Sequence, residues 1–259
     1  MATTAAEVTA AAPGAQHGEK IIDPIHQFLI TPLFGEGPVG YFTFTNSALW
    51  AVIAVLCASA LFVLSPAKLV PTRLQSAAES VYEIVDNMTR DILHDNAKRY
   101  FPFVLTLFCF ILFANVLGLI PYSFTVTSHL VVTLSLALTV FIGATVIGFI
   151  RNGFGYLKLF VPSGVPAVLL PLVVVIEIVS YFIRPMSLSI RLFANMMAGH
   201  MMLKVMAGFV VMLGITAGWL PLAAMVGLMG LELLVAALQA YVFALLTCMY
   251  LNDAMQVDH

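Results

Sequence analysis

The sequence contains very little charge. Charged residues make up 9% of its 259 residues, and hydrophobic residues make up 61%. Soluble proteins carry about 25% charged residues, so this scarcity indicates a polytopic membrane protein. The formal net charge of −2 offers no basic surface of the kind that binds nucleic acid. A soluble globular fold and a nucleic-acid partner are therefore both excluded.

Cysteine is also scarce. Cys57, Cys109 and Cys248 lie in separate apolar segments, without CxxC or Cys/His spacing. Residues in this setting are usually small apolar packing residues rather than members of a disulfide or a metal site. The chain also lacks the GxxxxGK[ST] loop that binds nucleoside triphosphates. We therefore expect no metal, no cofactor and no ATP chemistry in this chain.

Long apolar runs dominate what is present. Residues 1–40 are polar and punctuated by glycine and proline, which predicts an N-terminal outer segment, and residues 41–259 are predicted to form a single membrane domain. A bilayer core requires about 20 apolar residues per helical crossing. The pattern predicts an all-α polytopic protein with about five membrane helices, at residues 44–64, 100–120, 129–150, about 167–213 and about 221–251.

A more polar helix is predicted between the first two spans, at about 72–98. Its apolar residues recur at helical spacing, and charged residues occupy the remaining surface, which is the pattern of an amphipathic helix. The apolar positions are Leu74, Ala78, Val81, Val85, Met88 and Ile92. Two interpretations stay open: the helix lies along the membrane surface or a partner, or it packs on the membrane domain as a loop helix.

Basic residues are unevenly distributed among the links. The segment 65–99 and the link after residue 150 carry lysine and arginine, whereas Pro121–Ser128 carries neither. The positive-inside rule places the two basic links on the cytoplasmic side. The N-terminus is therefore predicted outside, and the C-terminus inside.

The last two spans are predicted to form a long, strongly tilted antiparallel hairpin over about 167–251. The cluster from Gly214 to Pro221 predicts the turn. A helix over 167–213 would be about 70 Å long, whereas the hydrocarbon core is only about 30 Å thick. The first helix must therefore tilt strongly, or break near Pro185 or Gly199.

One face of this hairpin is polar. Glu177, Arg184 and Arg191 follow one another at intervals of seven residues, which places them near one helical face. Ser180, Ser187 and Asn195 lie beside them. An arginine at the centre of a membrane helix costs about 2.5 to 3.5 kcal/mol on insertion scales. Arg191 therefore needs a partner charge or a water-filled path.

The register of the hairpin predicts which residues share a depth. Facing residues of an antiparallel pair have a constant sum of residue numbers, and the pairs Arg191/Gln239 and His200/Glu232 sum to 430 and 432. Both sums centre the turn inside the Gly214–Pro221 cluster. His200 and Glu232 are then on the turn side of Arg191, and Glu177 is on the other side.

These residue types suggest a proton path. An imidazole beside a carboxylate can exchange protons near neutral pH, whereas arginine stays protonated and can only repel protons. Arg191 has no carboxylate at matching depth in its own hairpin, which predicts that its counter-ion comes from another subunit. Two structural alternatives stay open: His200/Glu232 as a simple tie between helices, and Glu177–Arg184 as an interfacial salt bridge.

Three motifs resemble the a subunit (subunit 6) of F-type ATP synthases. They are Ser187-Leu-Ser-Ile-Arg191-Leu-Phe-Ala-Asn195-Met-Met-Ala-Gly-His200, Phe113-Ala-Asn115-Val-Leu-Gly118-Leu-Ile-Pro121 and Leu238-Gln239-Ala240-Tyr241-Val-Phe. The resemblance covers the chain from about residue 25 to its end. Some bacterial members carry the His200 and Glu232 residue types exchanged, which preserves the pair.

The resemblance implies a stator subunit that is not catalytic alone and faces a ring of c subunits. It matches Arg191 to the essential arginine, with Asn195 and Gln239 beside it. The implied outer proton path contains Asn195, His200, Glu232 and Gln239, and the inner path Glu177, Ser180, Arg184 and Ser187. Other implied partners are b-type peripheral stalk subunits, the remainder of the ATP synthase and the lipid bilayer.

The sequence also indicates a location and one rival function. Residues 1–16 lack the basic start and compact apolar core of a signal peptide, and we expect a bacterial inner (plasma) membrane, with the mitochondrial inner membrane as the alternative. The rival function is a secondary transporter in which Arg191 binds an anionic substrate. Transporters of that class show internal repeats with paired broken helices, and the sequence shows no such repeat.

Overall fold

A computed structural model describes residues 45–65, 72–120, 123–161 and 169–255. Within these residues the chain forms six α-helices, which we number in order: α1 (Asn46–Val63), α2 (Arg73–Leu93), α3 (Ala97–Gly118), α4 (Leu130–Asn152), α5 (Leu170–Ala217) and α6 (Trp219–Met255). Short 3-10 helices lie at His94–Asn96, Val126–Ser128 and Gly153–Phe160. The predicted outer segment 1–40 lies outside the described residues.

Five helical stretches of the described residues are long and apolar enough to cross a membrane, judged by length and composition. The second stretch, Arg73–Gly118, runs through both α2 and α3. The all-α, multi-pass class predicted from the sequence is confirmed. The predicted spans 44–64, 100–120 and 129–150 correspond to α1, α3 and α4 within a few residues.

The amphipathic helix α2 packs on the bundle. Thr72 caps its start, where Thr72 Oγ1 accepts a hydrogen bond from the Gln75 backbone N–H at 3.3 Å. Val85 and Met88 are buried in the same cluster as residues of α3 and α6, which corresponds to the loop-helix interpretation. Two details of the prediction are wrong. The helix ends at Leu93 rather than near 98, because His94 leaves helical geometry at φ 46°, and Leu74 is exposed.

Helix α5 is continuous over most of its length. The backbone stays helical through Pro185 and Gly199 and leaves helical geometry only at Gly214, so neither residue breaks the helix. Residues 170–213 span about 66 Å, which still exceeds the roughly 30 Å hydrocarbon core. Strong tilt is therefore the alternative that remains, and it stays a prediction.

The turn of the hairpin lies where glycine and proline predict it. Gly214 adopts φ 60° and ψ −158°, a conformation that is strained for residues with a Cβ and accessible to glycine. Helix α6 then begins at Trp219 and packs against α5. The predicted break between the last two helices is confirmed.

The C-terminal half of helix α6 is buried in the bundle. Phe243, Ala244 and Ala240 are fully buried and share a core with Val104 and Ile111 of α3. Helix α5 packs on α4 and α6 with only part of its surface. Its other face exposes a series of large apolar side chains: Val179, Ile183, Met186, Ile190, Met202 and Val205. Arg191 is exposed among them.

Candidate functional site

His200 and Glu232 meet across the hairpin. His200 Nδ1 lies 3.7 Å from Glu232 Oε1, and both side chains are almost completely buried. The contact confirms the predicted His200/Glu232 pairing. The short distance between the His200 and Glu232 side chains depends on Gly199, because a Cβ at that position would lie 2.8 Å from Glu232 Cδ.

Thr125 completes this group, which we call the turn-side cluster (Thr125, His200 and Glu232). Thr125 comes from the connection between α3 and α4, and its Oγ1 lies 2.8 Å from His200 Nε2. Neither carboxylate oxygen of Glu232 accepts a hydrogen bond from the described residues. A buried carboxylate without hydrogen bonds is costly. The cluster is therefore a place where binding a proton relieves an unfavourable charge.

The connection that carries Thr125 is held against α6 by Asn115. The fully buried Asn115 donates from Nδ2 to the Ala236 carbonyl at 3.3 Å, and its Oδ1 accepts from Thr127 Oγ1 at 2.8 Å. Asn115 thus joins α3, the connection and α6 within about one helical turn of Glu232. Sequence reasoning used Asn115 only as part of a motif and missed Thr125 altogether.

Arg191 lies on α5 and forms no ion pair with another described residue. No salt bridge joins its guanidinium to a carboxylate of the described residues. Gln239 is buried on α6, and its Oε1 accepts no hydrogen bond from the described part of the chain. Within the described residues Arg191 therefore donates no hydrogen bond to Gln239 Oε1, whereas His200 and Glu232 lie close together. The equal depth of Arg191 and Gln239 stays a prediction.

A second polar group lies toward the open end of the hairpin, and we call it the base-side cluster (Glu177, Arg184 and Asp253). Arg184 Nη2 lies 3.7 Å from Glu177 Oε1, and Arg184 Nη1 lies 3.5 Å from Asp253 Oδ2. All three side chains are more than a third exposed, so each ion pair contributes at most about 1 kcal/mol. The cluster is therefore hydrated and suited to exchanging protons with water.

Asp253 does not stand out in the sequence, because the last apolar run ends at Leu251. Helix α6 continues to Met255, and that extra turn brings Asp253 beside Arg184. The Glu177–Arg184 salt bridge that the sequence left as an alternative is present. Of the other predicted residues on α5, Ser180 and Asn195 are half-buried and Ser187 is exposed.

A chain of hydroxyl groups fixes α5 against α4 in this region. Tyr181 OH lies 2.8 Å from Tyr156 OH and 2.7 Å from Thr145 Oγ1. Thr145 Oγ1 donates to the Phe141 carbonyl at 2.7 Å, so the chain of hydrogen bonds ends on a helix backbone. It therefore positions α5 rather than leading to a second site.

Gly199→Ala is expected to slow proton transfer within the turn-side cluster by on the order of tenfold, since misplacing a reacting group by about 1 Å can cost up to a hundredfold. The added methyl group would push the Glu232 carboxylate away from His200. Assembly should be preserved, because the flexible end of Glu232 can move. Gly230→Ala is the matched control, since a Cβ there meets no atom within 4 Å. Equal proton-transfer rates of the two variants would contradict this role of Gly199.

Comparisons with known proteins agree on one family. The profile described as ATP synthase A chain matches residues 47–252. A protein of Pelagibacter ubique named ATP synthase subunit a is 55% identical over 92% of this chain and 99% of its own length. Proteins of the same name from Chelativorans sp. and Rhodospirillum rubrum are 57% and 52% identical, over 92% and 90% of this chain and 99% and 98% of theirs.

Proposed function

The chain belongs to the ATP synthase A chain family, and on that premise we propose that it is the stator half of the proton path in a bacterial F-type ATP synthase. Subunit a is a proton-translocating component of that complex and is not catalytic alone. Five helical stretches capable of crossing a membrane fit a multi-pass subunit. What the chain must supply is a route for protons and a surface for a moving partner.

The exposed Arg191 carries this proposal. It is a permanent cation on an apolar helix face, without an ion pair in the described residues. A charge in that position is costly in hydrocarbon and becomes favourable beside an anion. We infer that a carboxylate of the c-subunit ring lies against Arg191 when the complex is assembled.

Two offset half-channels lead to that carboxylate. On the turn side, protons pass Asn195, His200, Glu232 and Gln239 from outside the cell. On the base side, they leave toward the cytoplasm past Glu177, Ser180, Arg184 and Ser187. Arg191 separates the two routes, because a fixed cation repels protons, so a proton must travel on the rotating ring.

The driving force follows from the position of the two routes. Each proton that crosses gains about 2.3 kcal/mol per 100 mV of membrane potential, and the free energies of several protons add up for each ATP made.

The proposed location is the bacterial inner membrane, with the N-terminus outside and the C-terminus cytoplasmic. The proposed partners are the c-subunit ring, b-type peripheral stalk subunits and the rest of the synthase. A secondary transporter with an anionic substrate is not favoured by any observation on this chain.

Cysteine cross-linking in the intact complex tests the surface. Ala194→Cys lies on the exposed face three residues from Arg191 and should form a disulfide with a cysteine placed beside the membrane carboxylate of the ring subunit. Leu56→Cys on α1, which is 60% exposed, is the control and should not react. Both cysteine substitutions are made in a protein that also carries Cys57→Ser. Failure of Ala194→Cys to cross-link, or equal cross-linking at both positions, contradicts the proposal.

A further inference from the structure

We propose that Asn152 is a positioning residue of the base-side cluster: its side-chain amide fixes the last turn of α6 and so directs Asp253 toward Arg184. The inference rests on the proposed proton-path function and adds to it a residue of α4 that sets the geometry of the inner route. It depends on a hydrogen bond between the ends of two helices.

The last turn of α6 has carbonyl groups that need a partner from outside the helix. The last four carbonyl groups of a helix accept no hydrogen bond from within it, and α6 ends at Met255, so Ala254 belongs to this turn. Ala254 is fully buried, which makes an unpaired carbonyl costly there. Asn152 Nδ2 donates to this carbonyl at 2.8 Å and thereby supplies the partner.

The side chain of Asn152 suits this contact. Asn152 is the last residue of α4, and an amide side chain carries two N–H donors and one acceptor oxygen. Because a backbone carbonyl can only accept, the amide nitrogen must be the atom that faces Ala254. An apolar residue of similar shape at this position would fill the space and offer no donor.

The last turn of α6 contacts both neighbouring helices. The Ala254 carbonyl binds α4, and the side chain of the preceding residue, Asp253, lies 3.5 Å from Arg184 Nη1 on α5. That ion pair is more than a third exposed on both sides and is therefore weak. Leu251 and Ala254 are buried in the bundle, but hydrophobic contacts have no preferred direction. The directional contact from Asn152 therefore sets the orientation of the turn, and with it the direction of the Asp253 side chain.

Removing the amide tests the proposal in the full ATP synthase. Asn152→Leu has nearly the same shape but no donor, and it should lower ATP-driven proton pumping per assembled complex about threefold, the effect of losing one hydrogen bond. Asn152→Gln keeps the amide donor on a longer side chain and should retain more of the rate than Asn152→Leu. Asn152→Ala also removes the donor, and it replaces the leucine variant if that variant does not assemble.

Asn96 provides the matched control at the same end of the bundle. Its Oδ1 accepts a hydrogen bond from Nη1 of Arg151, the residue before Asn152, at a long 3.4 Å in an exposed position. Asn96→Leu makes the same substitution without removing a hydrogen bond to α6. It should pump protons at the wild-type rate.

A double-mutant cycle separates the positioning of Asp253 from a general structural role. Asp253→Asn keeps the shape of the side chain but cannot exchange a proton, and it should lower pumping by at least as much as Asn152→Leu does. Adding Asn152→Leu to Asp253→Asn should then cause no further loss, because the group that Asn152 positions is already inactive. A residue that only stabilised the fold would lower the rate by the same factor in both backgrounds, since independent effects multiply.

Three results would overturn the proposal: pumping without the Asn152 amide at the rate of Asn96→Leu, an equal loss with and without the Asp253 carboxylate, or a glutamine variant no faster than the leucine variant. The proposed function fails independently, through the Ala194→Cys cross-link or retained pumping without Arg191. Neither of those results depends on Asn152. A failure of the Asn152 proposal alone leaves the Arg191 proposal in place.

Discussion

Arg191→Ala is expected to abolish both proton-driven ATP synthesis and ATP-driven proton pumping by the intact complex. The substitution removes the guanidinium that is proposed to attract the ionised ring carboxylate, and the carboxylate is then left without its partner in an apolar surrounding. Truncating one member of a buried charge pair costs about 2 to 5 kcal/mol, which corresponds to a loss of more than roughly thirtyfold and up to several thousandfold. Dye-monitored acidification of inverted vesicles measures the effect.

Two control variants make the result specific. Arg191→Lys keeps a positive charge but loses the planar, delocalised guanidinium, so it should retain more activity than alanine. Arg184→Ala removes an arginine from the partly exposed base-side cluster, whose ion pairs are weak, and it should lower the rate by less than about tenfold. Coupled pumping that survives in Arg191→Ala would contradict the proposed mechanism.

Glu232→Gln is expected to lower proton translocation by about a hundredfold or more, the range over which a positioned acid or base accelerates proton transfer. Glutamine has nearly the same shape but cannot accept and release a proton. Assembly should be unaffected, because neither carboxylate oxygen accepts a hydrogen bond from the described residues. Proton flux through reconstituted complexes, normalised to the amount of assembled enzyme, measures the change.

A surface glutamate provides the comparison for Glu232. Glu83 is exposed on α2, and Glu83→Gln should leave the flux unchanged. If Glu232→Gln transports protons at a rate close to wild type, then the His200/Glu232 pair serves only to hold α5 and α6 together. That outcome would support the structural alternative that the sequence left open.

The sequence predicts two features of the hairpin, its turn and the pairing of His200 with Glu232, because each depends on a local pattern of residues. Gly214 and Pro221 interrupt an otherwise apolar run, and the constant sum of residue numbers needs only a straight antiparallel pair. The observed contact has the predicted sum of 432. The Arg184–Asp253 contact sums to 437, because a long arginine side chain can reach a partner that does not lie at its own depth.

Other features could not be predicted because they depend on tertiary structure. The link that carries Thr125 contains several hydroxyl residues, and spacing alone does not say which one reaches a helix 75 positions away. Asp253 required the true end of α6. The early end of α2 follows from the backbone at His94, which no apolar periodicity reveals.

The distance between Arg191 and the nearest carboxylate of another subunit tests the central claim most directly. A structure of the intact synthase, determined in lipid, measures it without any substitution. The account predicts a ring carboxylate within about 4 Å of the guanidinium in at least one rotational state, the usual separation of an ion pair. If Arg191 faces only lipid in every rotational state, or pairs with a carboxylate of its own chain, the account is wrong.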